Sequence, residues 1–185
     1  MDQTKKKAAE KTPMSRKKAI TLLICAAAVV LIAVGVLVGT MVLGEQRTPA
    51  AALKRYYEGM YLTANLEDMA NCIEASKQEQ FRLAYTLGGT TNMASSYVAE
   101  MVNKIGGNGS LTVKILDTQE KSSATLRKLR TTYPAIEDYA HTDFLLRFTG
   151  DKGERALQGA ATLIKLGGRW YLPDYQVVVG AASEQ

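Results

Sequence analysis

Cysteine is scarce in this chain: Cys25 and Cys72 are the two found in 185 residues. Cys25 lies inside an apolar run and Cys72 stands alone beyond it, which excludes a disulfide-stapled module. Histidine is scarcer still, with His141 alone. No H-x-E, C-x-x-C, H-E-x-x-H or G-x-S-x-G pattern occurs, and no run of ligand-type residues suggests a metal site or a bound cofactor. Excess positive charge is missing from most of the chain as well. The formal net charge is +5, yet residues 1–18 hold seven basic and two acidic side chains, and residues 45–185 hold sixteen of each. A nucleic-acid-binding domain needs its surplus on the folded face that meets phosphate, so no nucleic-acid partner is expected.

Charge is absent altogether from Ala19 to Leu43, a run of 25 residues of which fourteen are Leu, Ile or Val. As a helix it would be about 37 Å long, enough to cross a hydrocarbon core of about 30 Å with some tilt. A cleaved signal peptide is the rival reading. Its apolar region would be shorter and would end at a small-x-small site, whereas this run exits through Met41-Val42-Leu43-Gly44. Lipidation at Cys25 fails too, because Ile24 stands where a small residue is needed. The sequence therefore predicts a basic tail (1–18), a transmembrane helix (19–43), a short joint (44–48), an α+β domain (49–179) and a terminal tail (180–185). The basic flank precedes the span, so the positive-inside bias leaves the N-terminus cytoplasmic and residues 45–185 extracytoplasmic at the cell membrane. The tail serves as a topology signal, and its charges also suit anionic lipid of the bilayer. Gly35 and Gly39 form a G-x-x-x-G on one face of the span. That pattern suits close approach of a second copy, although glycine is common enough in membrane helices for it to arise by chance.

Beyond the joint, Thr48 and Pro49 read as the cap and first position of a helix running to Ala64. Leu53, Tyr56, Tyr57, Met60, Tyr61 and Ala64 form its apolar stripe. Asn65 caps a second helix, expected over Leu66–Ser76. A third is expected over Lys77–Leu87, broken by Gly88-Gly89, and a fourth carries Met93, Tyr97, Val98, Met101, Val102 and Ile105 to Gly106-Gly107. Asn108-Gly109-Ser110 matches a glycosylation pattern but is read as a turn. The period then changes to two at Leu111, Val113 and Ile115. Ser122–Thr132 is helical again. Asp143–Thr149, Arg155–Leu166 and Arg169–Leu172 read as strands joined by glycine-rich hairpin turns, with a last short strand at Tyr175–Val179. Helices first and then a mainly antiparallel sheet is the α+β pattern.

An opening helix with an aromatic pair (Tyr56-Tyr57), a capped helix directly after it (Asn65-Leu66-Glu67-Asp68-Met69) and a closing hairpin (Ala161 to Leu172, with Gly167-Gly168 at its turn) occur together. Over about residues 48–175 the chain resembles the nuclear-transport-factor-2-like, or cystatin-like, fold. It is especially similar to small bacterial extracytoplasmic domains of unknown function held behind an anchor. The resemblance implies a curved sheet wrapped around the first helix, leaving a conical cavity. The stretch Lys77–Ile105 is longer than that family pattern has. Members include isomerases, dehydratases, binders and scaffold domains, and fold alone does not choose among them.

All nine tyrosines lie beyond the span. Tyr57, Tyr61, Tyr97 and Trp170 either line a ligand pocket or form the core, since each sits on a stripe that packing already requires. His141 reads as a loop residue before the strand at Asp143, and no residue is nominated as catalytic. Two functions follow as expectations. One is a membrane-anchored, non-catalytic binding or scaffold domain that engages an envelope protein partner. The other is a small-molecule-binding or isomerase-like enzyme using the cavity. A cone filled by Tyr and Met side chains favours the first, and a deep pocket with a buried Asp, Glu or His favours the second.

Overall fold

The structure, a computed structural model, describes residues 46–87, 90–175 and 178–181. Among them no helix is long and apolar enough to cross a membrane. The apolar run 19–43, with Gly35 and Gly39, lies outside the described residues, as does the Gly88-Gly89 break.

Helix α1 spans Pro49–Glu58, with Pro49 in its first turn and the Thr48 hydroxyl accepting from Ala51 N–H at 3.2 Å. It continues as a π-helical turn, Gly59–Thr63, and ends at Ala64 with φ 51°. Asn65 caps α2 (Leu66–Asn71) by accepting from the backbone N–H groups of Glu67 and Asp68. Two contacts fix the angle between α1 and α2. Arg55 donates to Asp68 Oδ1 through Nε and Nη2 at 3.1 and 2.7 Å. Gly59 lets the two backbones close, since a Cβ there would stand 2.6 Å from Met69 Cγ and 3.1 Å from Asn65 O.

Helix α2 is shorter than the expected Leu66–Ser76. Tertiary hydrogen bonds end it: Leu172 N–H donates to Cys72 O and Glu74 N–H donates to Leu172 O, both at 2.8 Å. These pull Cys72 and Ile73 into a bridge with the closing strand. Helices α3 (Ala75–Leu87) and α4 (Thr90–Ile105) follow.

The sheet is antiparallel and curved. Strand β1 (Ser110–Thr118) pairs with β2 (Asp138–Gly150), and β2 pairs with β3 (Gly153–Leu166) along its whole length, from Gly150–Gly153 to Asp138–Lys165. The far edge of β3 is shared by β4 (Arg169–Tyr171) and β5 (Val178–Ala181). Helix α5 (Ser123–Thr132) lies between β1 and β2, capped by Ser122. Strand β2 begins five residues earlier than expected, so His141 is a strand residue and not a loop residue. Strand β5 reaches Ala181, so Gly180 belongs to the sheet and not to a tail.

Alternation on β2 decides which side chains meet the helices. Ala140, Thr142, Phe144, Leu146 and Phe148 point to one face and are buried. They pack with Leu111, Leu157, Ala161 and Leu163 of the sheet and with Leu53, Tyr56, Tyr57, Met69, Phe81, Met101 and Ile105 of the helices. On the opposite face α5 covers one end, where Leu126, Leu129 and Tyr133 pack on Ile136, Tyr139 and Ile164. The entering chain is fastened as well. Gln46 is buried, its Nε2 donating to Asn71 O at 3.0 Å, while its carbonyl accepts from Trp170 N–H at 2.9 Å. The expected joint is thus partly folded into the domain.

The turn after α4 is docked on the β2–β3 hairpin. Gly106 (φ 84°) and Asn108 (φ 52°) reverse the chain. Lys152 N–H donates to Ile105 O at 2.7 Å, Asp151 N–H donates to Gly107 O at 3.2 Å, and Asn108 Nδ2 donates to Asp151 Oδ2 at 3.0 Å. This latch places α4 over the start of β3.

Candidate functional site

Three of the four nominated aromatic residues form a row. Tyr57 and Tyr61, one turn apart on the opening helix, have ring centroids 6.1 Å apart, and Tyr61 lies 5.4 Å from Tyr97 of α4. The inner end of the row is core: Tyr57 is fully buried against Tyr56 (5.3 Å) and Phe144 (5.6 Å). Among the described residues its hydroxyl has no hydrogen-bond partner, and the Thr142 hydroxyl is a second buried orphan. Trp170 does not join the row. It packs in the same core as Tyr57 but opposite Lys165, toward the other end of β3 from Arg155.

The outer end of the row opens on a small pocket of about 180 Å³. Tyr61, Tyr97 and Met101 line it from the helices, Arg155 and Leu157 from β3, and Val179 from β5. Arg155 lies opposite Phe148 on the inner face, at the rim. Its Nη2 stands 3.8 Å from Glu100 Oε1, a loose ion pair whose Arg155 side chain is 33% exposed and whose Glu100 side chain is 58% exposed. The arrangement offers two phenol rings, a guanidinium and an apolar wall. It suits seizing one side chain and is too small for a larger ligand.

The Tyr61 phenol stays protonated at neutral pH. Burial raises Tyr61, the neighbouring Tyr97 and Glu100 raise it further, and Arg155 opposes them. Burial likewise raises Tyr56 and Tyr57, and it pushes Tyr85 up to about 12. A phenol whose value is higher in the folded state binds more protons folded than unfolded above its ordinary value of about 10. Stability is therefore held below about pH 10 and lost as the pH climbs through the folded values. In a titration followed by phenolate absorbance, these tyrosines are expected to ionise late and together, in step with loss of helical circular dichroism. Ionisation of all nine tyrosines near pH 10 with the fold intact would contradict their burial.

Sequence reasoning missed Arg155 and Glu100. Tyr97, Glu100 and Met101 have helical spacing, and Arg155 and Leu157 share one strand face. Each pattern was legible alone. That the two faces meet depends on the latch between the α4 turn and the β2–β3 hairpin. Among the described residues no group of three or more His, Cys, Asp or Glu side chains is placed to hold a metal ion. No protein-family model, curated protein or solved structure matches the chain.

Proposed function

We propose that this is a single-pass membrane protein whose extracytoplasmic domain is a non-catalytic scaffold that engages an envelope protein. In this reading residues 19–43 cross the bilayer with the N-terminus in the cytoplasm, and Gly35 and Gly39 bring two copies together. The domain is a nuclear-transport-factor-2-like cone whose interior is closed. One observation carries the binding half of the reading. Tyr56, Tyr57, Phe144, Phe148 and Met69 fill the space between helices and sheet, each at most 1% exposed. An isomerase-like enzyme of this fold would need that space for its substrate. What stays accessible is the rim, where Tyr61, Tyr97 and Arg155 are the residue types that anchor protein partners.

A photo-reactive phenylalanine analogue placed at Tyr97 in cells tests this. The expected result is one discrete adduct that weakens at least fivefold when Arg155→Ala is added. The same analogue at Thr131, exposed on the far side of the sheet, should not give that adduct. No adduct at Tyr97, or the same adducts at both positions, would overturn the rim as the docking site.

A further inference from the structure

A second concavity lies on the opposite face of the sheet, between α5 and the strands, with a volume of about 490 Å³. That is within the range of small-molecule sites, about 300–1,000 Å³. It exists because α5 presents two adjacent stripes. Leu126, Leu129 and Tyr133 close against Ile136, Tyr139 and Ile164. Thr125, Lys128 and Thr132, also three, four and seven apart, face the His141 end, where short polar side chains leave a gap. The floor is His141 and Thr162, directly opposite each other on β2 and β3.

The groove is held in shape before anything enters. His141 Nδ1 is 2.8 Å from Thr162 Oγ1, which fixes the ring. Gln119 N–H donates to His141 O at 2.9 Å. Ser122 N–H donates to Tyr139 Oη, and Lys121 Nζ pairs with Asp138 Oδ2, each at 2.5 Å. The loop that forms the mouth is thus fastened to β2 at three points, the preorganisation a binding site needs.

Its chemistry narrows the ligand. Ser122, Thr125, Thr132 and Thr162 contribute hydroxyls, Gln119 an amide and His141 an imidazole. Each of these groups, in its neutral form, both donates and accepts. The formal charges, Lys128 and Glu120, are one of each sign, so the lining favours neither an anion nor a cation. Leu129 and Tyr139 add apolar surface at one wall. A neutral ligand rich in hydroxyl and amide groups, with an apolar C–H face, meets all of these. We infer that the groove between α5 and β2–β3 is a carbohydrate site.

The test uses the full chain in a detergent without sugar headgroups, with N,N′-diacetylchitobiose as the probe and alanyl-alanine as the peptide comparison. Saturation transfer from protein to disaccharide is expected. Thr125→Trp, at an exposed helix position where the indole fills the groove, should reduce it at least fivefold, as should Thr162→Val, which releases His141. Arg127→Ala, on α5 outside the groove, should leave it unchanged. Thr125→Trp keeps the test valid should Thr162→Val fail to fold. No transfer from the unmodified chain, transfer indifferent to Thr125→Trp, or transfer to the dipeptide alone would overturn the assignment. The readout is independent of which side of a membrane the domain occupies, so its failure and failure of the scaffold reading are separate results.

Discussion

Replacing Tyr57 by phenylalanine is expected to stabilise the domain, and replacing it by alanine to cost more than almost any other single change. The ring is fully buried between Tyr56, Tyr61 and Phe144. Its hydroxyl is buried without a partner. An unmet buried polar group costs about 1–3 kcal/mol, so deleting it while keeping the ring should gain about 1 kcal/mol. Alanine removes the ring and leaves a cavity lined by other rings, a loss of about 3–5 kcal/mol. Urea midpoints of the full chain in detergent give both numbers. A large loss in Tyr57→Phe would mean that the hydroxyl has an unseen partner, an ordered water or a ligand, and that the interior is not closed.

The second large effect is expected at Gly150, where the β2–β3 turn meets the end of α4. A Cβ there would lie 2.6 Å from Ile105 O and 2.9 Å from Gly107 O, both backbone atoms that cannot rotate away. Gly150→Ala should cost about 2–3 kcal/mol through overpacking. It should also loosen the latch that sets α4 over β3. Because that latch builds the rim pocket, the Tyr97 adduct should weaken in parallel. Gly180→Ala is the control for stability: no described residue lies within 4 Å of its Cβ, and a change within about 0.5 kcal/mol is expected. Equal effects at both glycines would show that the docking of the two turns does not organise this end of the domain.

What was legible in the sequence, and what was not, follows from how local each cause is. The caps at Thr48 and Asn65, the stripe around Tyr57 and the glycine turns at 150–153 and 167–168 are written in adjacent residues, and these elements stand where the sequence places them. The sequence predicts too short a β2 because Asp138-Tyr139-Ala140-His141-Thr142 mixes polar and apolar residues. One side of that segment meets the helices and the other meets α5, so both faces are partly buried and the alternation blurs. The sequence predicts too long an α2 because nothing near Cys72 announces the hydrogen bonds with Leu172, a hundred residues away. The site was half legible for the same reason. Tyr57, Tyr61 and Tyr97 stood out by type and spacing, but only the fold separates Trp170 from them and brings Arg155 and Glu100 to their edge. His141 reads as a loop residue in the sequence, and only the pairing of β2 with β3 sets Thr162 opposite it.

One labelling measurement reads directly whether the domain lies outside the cell. Thr131 is exposed on α5, whereas of the two native cysteines Cys72 is fully buried and Cys25 lies in the run that this reading places within the bilayer. A Thr131→Cys chain should therefore react with a membrane-impermeant maleimide in intact cells, to the same extent as after lysis, while the unmodified chain should not. Labelling of Thr131→Cys only after the cells are broken would put the domain on the other side of the bilayer and remove the basis for an extracytoplasmic scaffold.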